Sequence, residues 1–211
     1  MAGVEVSTNG GATWNTGSVS GGTWTYSLNT TSLIDGNNTI KVRAIDNAGN
    51  TQTSLASTTL NIDNTPPTIV LASPAPGLVL IGAVTVQGTV SDSNGVVSVQ
   101  VSYDNGSTWN TATLIGGNWS YSWNTFGMIN GGATIRVRAT DSVGNVSPQL
   151  TYNGVIDNAP PTLFIALECP LWGNDNWCQT SATVNINSNS VGGVQSVTHT
   201  YNGETKTVSG S

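Results

Sequence analysis

A long internal repeat limits the fold of this chain more than any other feature. The string IKVRAIDNAGN at 40–50 returns as IRVRATDSVGN at 135–145, a spacing of 95 residues (135 − 40). Aromatic residues of the two copies keep that spacing: Trp14 and Trp109, Trp24 and Trp119, Tyr26 and Tyr121. A catalytic site is needed once in a domain, so a recurring string predicts a recurring module about the size of one small β-sandwich.

The repeat also predicts where the modules lie. The string IDNTPPT at 62–68 matches IDNAPPT at 156–162, and each Pro-Pro pair favours an extended connection. We therefore expect three modules. Residues 1–64 form the C-terminal part of one, residues 65–158 a complete one, and residues 159–211 the N-terminal part of a divergent third.

Charged residues are scarce in this chain. Only 8% of its residues are Asp, Glu, Lys or Arg, and the net charge is −6. A negative chain has no electrostatic attraction to phosphates, so we expect no nucleic-acid partner. A run of about 18 apolar residues, the length of a membrane span, is absent from the sequence, so we expect no span in this segment.

Apolar and polar residues alternate with a period of two, which predicts strands. In IKVRA, Ile40 and Val42 face one way while Lys41 and Arg43 face the other. Asn-Gly, Gly-Gly, Asp and Pro turn signals separate such segments. The complete module is predicted to have strands at 68–72, 84–90, 96–103, 108–114, 118–124, 133–140 and 149–157. This spacing indicates an all-β chain of tandem antiparallel β-sandwich modules.

Most basic residues share the outward face of the repeated strand: Lys41, Arg43, Arg136 and Arg138. Glu5 is expected on the neighbouring strand, where pairing with Lys41 or Arg43 contributes about 0.2–1 kcal/mol. The equivalent position in the next module is Gln100, so the ion pair is not required in every module.

The two cysteines, Cys169 and Cys178, lie nine positions apart (178 − 169). A metal site would need further Cys or His residues nearby, and His199 is the only histidine. We therefore expect a local disulfide, with two free thiols as the alternative. A disulfide indicates an oxidising, extracytoplasmic setting.

The complete module carries the strings VQGTVSDSNGVVSVQVSYDNGSTW, GGNWSYSW, IRVRATDSVGN and IDNAPPT. With them the chain resembles the bacterial Ig-like repeats found in tandem in large surface adhesins and other secreted bacterial proteins. The resemblance covers 66–161 well, 4–67 as the later part of a module, and 162–211 loosely. It implies tandem immunoglobulin-like modules and an extracellular or cell-surface location.

The resemblance also implies calcium sites at the module junctions. Ca²⁺ takes about six to eight oxygen ligands, which Asp, Asn and backbone carbonyls supply. The candidate ligands are Asp46, Asp63, Asn64, Asp141, Asp157 and Asn158. Few carboxylates gather at each junction, so the alternative is that Asp46 and Asp141 only accept backbone hydrogen bonds in turns. We expect no other cofactor.

Tryptophan at equivalent positions of successive modules predicts a packing role, because a core position recurs with its module. Stacking of exposed indoles on sugars is the alternative. Trp172 and Trp177 lie inside the loop between the two cysteines and do not recur. They are therefore the candidate ligand contacts.

The sequence has no evident Ser/His/Asp arrangement, carboxylate pair or phosphate loop, so we expect no enzyme. The predicted function is a non-catalytic extracellular stalk, part of a cell-surface adhesin or an extracellular filament. The alternatives are a carbohydrate- or other ligand-binding module and an accessory domain of a secreted enzyme. Expected partners are neighbouring modules, a cell-surface or glycan ligand, and other copies in head-to-tail contact. The two partial modules are completed either by such copies or by the rest of a longer repeat protein.

Overall fold

A computed structural model describes residues 2–172, 178, 182–190, 193–201 and 204–209. The chain falls into two compact units. The first contains Met1–Thr68, Ser91–Val97 and Thr140–Ser147, and the second contains Ile69–Val90, Ser98–Ala139 and Pro148–Ser211. None of the described residues belongs to a helix long and apolar enough to cross a membrane.

One antiparallel sheet forms most of the first unit. Its strands are β1 (Gly3–Ser7), β2 (Asn15–Ser20), β3 (Thr23–Thr25), β4 (Gly36–Ile45) and β5 (Ala56–Ile62), and a 3-10 turn spans Thr30–Ser32. The order across the sheet is β3-β2-β1-β4-β5, so β3 and β5 are edge strands. Alternation buries Val4 and Val6 of β1 together with Ile40 of β4.

The next part of the chain forms two sheets. Its strands are β6 (Thr68–Ser73), β7 (Val79–Leu80), β8 (Ala83–Ser91), β9 (Val96–Ser102), β10 (Asn110–Thr111), β11 (Thr113–Ile115), β12 (Asn118–Asn124), β13 (Gly131–Asp141) and β14 (Leu150–Ile156). The sheet orders are β11-β12-β8-β6 and β10-β9-β13-β14-β7. Together they make the β-sandwich that the alternating sequence predicts.

The sandwich core uses every second residue of its central strands. Val86 of β8, Val99 of β9 and Ile135 of β13 have no exposed surface, and Trp119 of β12 is 2% exposed. Each fully buried aliphatic side chain of this kind contributes roughly 1.5–3 kcal/mol. The core therefore joins strands that lie far apart in the sequence.

The last part of the chain forms two separate antiparallel pairs. One pairs β15 (Thr162–Glu168) with β16 (Thr183–Asn189), and the other pairs β17 (Ser196–Tyr201) with β18 (Glu204–Ser209). The Cys169–Cys178 disulfide lies between β15 and β16, with the Cα atoms 5.7 Å apart. This confirms the predicted bridge.

The polar turn after β9 has the same hydrogen bonds as the equivalent turn of the first unit. The hydroxyl of Ser102 donates to Asp104, whose carboxylate also accepts from the backbone N–H and the hydroxyl of Thr108. In the first unit Asn9 accepts from Ser7 and from the Thr13 N–H in the same way. Hydrogen bonds from the Thr108 hydroxyl, the Thr108 N–H and the Ser102 hydroxyl lower the pKa of Asp104 to about 2.

The all-β fold class is confirmed, and most predicted strands appear within a residue or two of their expected bounds. Two details of the sandwich differ from the sequence prediction. The strand expected at 108–114 is split into β10 and β11 around Ala112, whose N–H bonds to Val99 O. The two-residue strand β7 was not predicted, because its formation depends on parallel pairing with β14.

Gly88 allows β6 to lie close against β8. An ideal Cβ atom on Gly88 would lie 1.9 Å from the backbone oxygen of Val70. We expect Gly88→Ala to destabilise the sandwich by about 3 kcal/mol or more, at the upper end of overpacking costs. Gly132→Ala is the matched control, since no atom lies within 4 Å of its ideal Cβ. Urea unfolding followed by tryptophan fluorescence measures both, and equal midpoints for the two variants would contradict the prediction.

Asp104→Asn tests the turn through its pH dependence. The folded-state pKa of Asp104 lies below its usual value of 3.8. Its charged form therefore stabilises the fold above about pH 4, and this contribution is lost as the pH falls towards about 2. We expect wild type to melt above Asp104→Asn near about pH 6 and the difference to vanish near about pH 2. Asn9 shows that Asn fits the turn, so a pH-independent difference would refute the electrostatic origin.

Candidate functional site

The repeated corner that follows β4 and β13 is built around one Asp in each copy. Asp46 accepts from the N–H groups of Ala48 and Asn50 and from the Asn50 side chain. Asp141 accepts from the N–H groups of Val143, Gly144 and Asn145 and from the Asn145 side chain. The recurring string is therefore an Asp-capped turn, as its sequence predicts.

The two corner carboxylates differ in burial. Asp46 is exposed, and its pKa is lowered chiefly by the hydrogen bond from the Asn50 side chain. Asp141 is 1% exposed. Burial raises the pKa of Asp141, but hydrogen bonds from Asn145, Gly144 and Val143 outweigh this effect and the net shift is downward. Both groups are thus anionic at neutral pH.

Three carboxylates meet beside the second corner. Ligand oxygens of Asp63, Asp92 and Asp141 all lie within 4.8 Å of one another. All three residues belong to the first compact unit. Asp63 and Asp92 are partly exposed while Asp141 is buried. The cluster is therefore accessible to solvent on the side of Asp63 and Asp92. Such a group of hard oxygen ligands suits a divalent cation such as Ca²⁺.

Two amide side chains tie this acidic cluster together. Asn94 Nδ2 donates to Asp63 Oδ2 at 2.7 Å, while the Asn94 N–H donates to Asp92 Oδ1 at 2.8 Å. Asn145 Nδ2 donates to the backbone oxygen of Asp63 at 3.1 Å. These bonds partly offset the repulsion between the carboxylates and hold the loops around 92–94 and 141–145 beside Asp63.

The structure brings only some of the predicted calcium ligands together. Asp63 and Asp141 come together, whereas Asp46 lies outside the cluster of three carboxylates. Asn64 donates from its N–H to Asp35 and from its side chain to the backbone oxygen of Thr30. Asp92 was missed by sequence reasoning, although the string SDSNG directly after a predicted strand marks it as a turn residue.

The other predicted pair, Asp157 and Asn158, lies in the second unit. Asn158 repeats the pattern of Asn64, since its N–H donates to Asn130 and its side chain donates to Thr125 O. Asp157 accepts from the Ser190 hydroxyl at 2.9 Å. Ser190 takes the place of Asp92, because the Gly193 N–H bonds to the Ser190 backbone oxygen as the Gly95 N–H bonds to that of Asp92. A hydroxyl therefore replaces one carboxylate here.

The recurring tryptophans are mostly engaged in packing. Trp119 is buried, whereas its equivalent Trp24 is 42% exposed. Trp123, which has Leu28 as its equivalent in the first module, is also buried and stacks on Tyr103 with ring centroids 5.4 Å apart. The Trp14 and Trp109 rings each carry a guanidinium 4.1 Å from the centroid, from Arg43 and Arg138 respectively. These two rings are thus covered by cations, which leaves less ring surface for a sugar.

The predicted outward pairing is present on the same strands. Arg43 forms an ion pair with Glu5, with a shortest N–O distance of 2.6 Å. In the next module Arg138 Nε donates to Gln100 Oε1 at 3.0 Å. Gln100 preserves the hydrogen bond to arginine but carries no charge. The contact of Trp with Arg, and of Arg with Glu or Gln, therefore recurs in the first two modules.

The disulfide loop holds the exposed aromatic candidate. Trp172 is 49% exposed and pairs through its backbone with Cys178. Trp177, the second predicted ligand contact, lies outside the described residues. Among the described residues of this loop, Leu171 and Trp172 are both large, exposed apolar side chains, and Trp172 is the aromatic one.

Family comparisons assign the two repeated segments. Residues 1–64 match the model of a bacterial Ig-like domain, and residues 67–137 match that of a bacterial Ig domain. The chain contains two bacterial Ig-like domains. The corner turn at Asp46, Asn64 and the contact of Arg43 with Trp14 all lie within the first of them. No curated protein matches the sequence.

Solved structures with similar folds are distant. Fibronectin(III)-like modules of Clostridium thermocellum CbhA are 19% identical, with 73% of this chain and 77% of that chain covered and a TM-score of 0.42. A 1.5-MDa bacterial ice-binding adhesin is 19% identical, with 98% and 71% covered and a TM-score of 0.39. The endo-β-1,4-mannanase of Thermotoga petrophila is 17% identical, with 46% and 21% covered and a TM-score of 0.40. The Ig-like chain therefore spans about a fifth of the mannanase's length.

Proposed function

We propose that this chain is part of a non-catalytic extracellular stalk of tandem Ig-like modules, in a cell-surface adhesin or an extracellular filament. The supporting observation is the hydrogen-bond pattern that Asn64 and Asn158 repeat at the ends of successive modules. Residues 1–64, 65–158 and 159–211 are the proposed modules. A chain that repeats its connections as well as its cores is suited to serve as a spacer.

The state of the carboxylates supports a non-catalytic role. A general acid at neutral pH needs a raised pKa. The pKa values of Asp46, Asp104 and Asp141 are instead lowered, because each carboxylate accepts hydrogen bonds within its own turn. Side chains held in this way stabilise loops and have little capacity to exchange protons with a substrate.

The Cys169–Cys178 disulfide supports the extracellular location. Structural disulfides persist in oxidising compartments and are rare in a reducing cytosol. The low charge content of the chain and its −6 net charge fit a spacer that does not adsorb to anionic polymers.

A ligand-binding module, with a glycan as its ligand, is the second candidate function. It is favoured by one observation, the exposure of Trp172 in the disulfide loop. In the stalk, by contrast, the partners of each module are its neighbours.

We further propose that Ca²⁺ binds the first junction, at Asp63, Asp92 and Asp141. The support is the close approach of their carboxylates. Asp157 and Asn158 at the next junction form a weaker site, because Ser190 stands where the first junction has Asp92. Asp46 serves as a turn former.

The two candidate functions are separated by glycan binding. The stalk predicts no saturable binding of the disulfide-intact chain to soluble glucans, mannans or xylans in calorimetric titration. Trp172→Ala tests the loop, and Trp24→Ala is the matched control because Trp24 is 42% exposed elsewhere in the chain. Saturable binding that Trp172→Ala abolishes and Trp24→Ala preserves would replace the stalk with the ligand-binding module.

Antibody against residues 65–158 should label intact producing cells, and labelling only after permeabilisation would exclude an extracellular role.

The variant Asp92→Ser tests calcium dependence, because it gives the first junction a serine where the second junction has Ser190. At a Ca²⁺ concentration about a hundredfold above Kd, a single site stabilises the fold by about 2.7 kcal/mol. We expect Ca²⁺ to raise the Tm of wild type over that measured in chelator, and Asp92→Ser to lose this increase. Asp104→Asn is the matched control and should keep the increase, because it removes a turn carboxylate that lies outside the cluster. Identical melting curves of wild type with Ca²⁺ and chelator would leave the three carboxylates as turn formers.

A further inference from the structure

Asparagine followed by glycine occurs six times in the sequence, and one of these pairs has an uncommon backbone geometry. The pairs begin at Asn9, Asn94, Asn105, Asn130, Asn153 and Asn202. Among the described residues other than glycine, Asn105 alone has a positive φ, of 63°. It is exposed and lies in the turn between β9 and β10. Asparagine tolerates this left-handed region, and residues held there are concentrated at functional positions.

An Asn-Gly pair can undergo a reaction that needs no enzyme and no cofactor. The backbone nitrogen of the glycine attacks Cγ of the asparagine and closes a succinimide ring. The new C–N bond replaces the bond from Cγ to Nδ2, and Nδ2 leaves as ammonia with the proton of the glycine nitrogen. Water then opens the ring to aspartate or isoaspartate. Glycine favours the attack because it has no Cβ atom to obstruct the approach.

Arg136 polarises the side-chain amide of Asn105. Arg136 Nη2 donates to Asn105 Oδ1 at 2.5 Å, while Arg136 Nη1 donates to Gln149 Oε1 at 3.3 Å and so helps to position the guanidinium. Attack on Cγ moves negative charge onto Oδ1, so this charge-assisted hydrogen bond strengthens as the reaction proceeds. Arg136 therefore lowers the barrier in the way that a donor in an oxyanion hole does.

The polar turn orients the attacking nitrogen and leaves the departing nitrogen free. The Gly106 N–H donates to Ser102 Oγ at 2.9 Å, and the Ser102 hydroxyl donates to Asp104 Oδ1 at 2.8 Å. The proton that Gly106 must lose thus lies on a hydrogen-bond chain that ends at a carboxylate. Within the described part of the chain, the contact with Arg136 is the side-chain hydrogen bond of Asn105, and its Nδ2 has no acceptor.

The other described Asn-Gly pairs lack this combination. In three of them the side-chain nitrogen that would leave is held by a hydrogen bond, from Asn9 to Thr13, from Asn94 to Asp63 and from Asn130 to Asp157. The pair at Asn153 is inside β14, where pairing with β13 fixes its backbone. The pair at Asn202 lies outside the described residues.

We propose that Asn105 is a site of spontaneous deamidation, promoted by Arg136 and by the turn that presents the Gly106 nitrogen. The Gly106 nitrogen forms the bond to Cγ, Nδ2 leaves as ammonia, and water supplies the oxygen of the new carboxylate. The first module cannot react at the equivalent position, because Gly10 stands there (105 − 95). The modification is therefore specific to the complete module.

Deamidation replaces a neutral contact with an ion pair. In the first unit Arg43 pairs with Glu5, whereas Arg136 of the sandwich donates to the neutral side chains of Asn105 and Gln149. Either product adds a negative charge beside the Arg136 guanidinium, and isoaspartate also lengthens the backbone of the turn by a methylene group. Because the reaction is not reversed by dilution or by a ligand, the charge of this turn depends on the age of the protein.

Peptide mapping of the full chain during incubation in mildly alkaline buffer tests the site. Mass spectrometry detects the exchange of an amide for a carboxyl group at each Asn-Gly pair. We expect Asn105 to convert about tenfold faster than Asn9, Asn94 or Asn130, since a hydrogen bond that holds or polarises the amide changes the rate by about that factor. Incubation in urea is the control, because the unfolded chain presents all the pairs alike and the preference for Asn105 should disappear. Equal rates in the folded chain, or the same preference in urea, would overturn the proposal.

Arg136→Lys tests the polarising contact. Lysine occupies the equivalent position in the first module, where Lys41 Nζ donates to the backbone oxygen of Gly10. We therefore expect the variant to lose the bond to Asn105 Oδ1 and to deamidate about tenfold more slowly than wild type. Arg138→Lys is the matched control and should keep the wild-type rate, because Arg138 donates to Gln100 on the same strand face. Melting curves establish that both variants are folded, and equal rates for wild type and Arg136→Lys would refute the role of Arg136.

Discussion

The pairing of β8 with β12 is the contact on which the complete sandwich depends. It sets Gly88 beside Trp119 and joins a strand from the first half of the module to one from the second half within a single sheet. Gly88 matters because β6 approaches so closely that a Cβ atom would meet the Val70 oxygen. Where this pairing is absent, as beside β3, the equivalent indole remains exposed and the sheet keeps an open edge. The strand that completes this sheet of the sandwich is thus also the strand that buries the indole.

Polar groups determine the ends of the modules as firmly as apolar groups determine their cores. Corner carboxylates such as Asp141 accept backbone N–H groups that would otherwise lack partners in a tight turn. Asn64 and Asn158 connect the segment after a module's last strand to the same earlier loop in each copy. Because these contacts use short side chains and few charges, a chain with 8% charged residues still forms well-defined loops.

The two junctions show how a small sequence change alters possible chemistry within one architecture. Asp63 meets two further carboxylates, whereas Asp157 meets the hydroxyl of Ser190 in the corresponding turn. The N–H of Gly193 bonds to the backbone oxygen of Ser190 as the N–H of Gly95 bonds to that of Asp92. The two junctions therefore share this hydrogen bond but offer different side-chain oxygens.

The sequence alone determined the repeat, the all-β class, most strand positions, the disulfide and the Asp-capped corner, because these depend on local periodicity, turn chemistry and short separations. It did not reveal β7, whose two residues pair in parallel with the distant β14. Nor did it reveal that Asp92 joins Asp63 and Asp141, since residues 63, 92 and 141 share no local pattern. Tertiary structure decided these features, and it also decided which tryptophan of a repeated pair is buried, because burial depends on the strand that lies alongside.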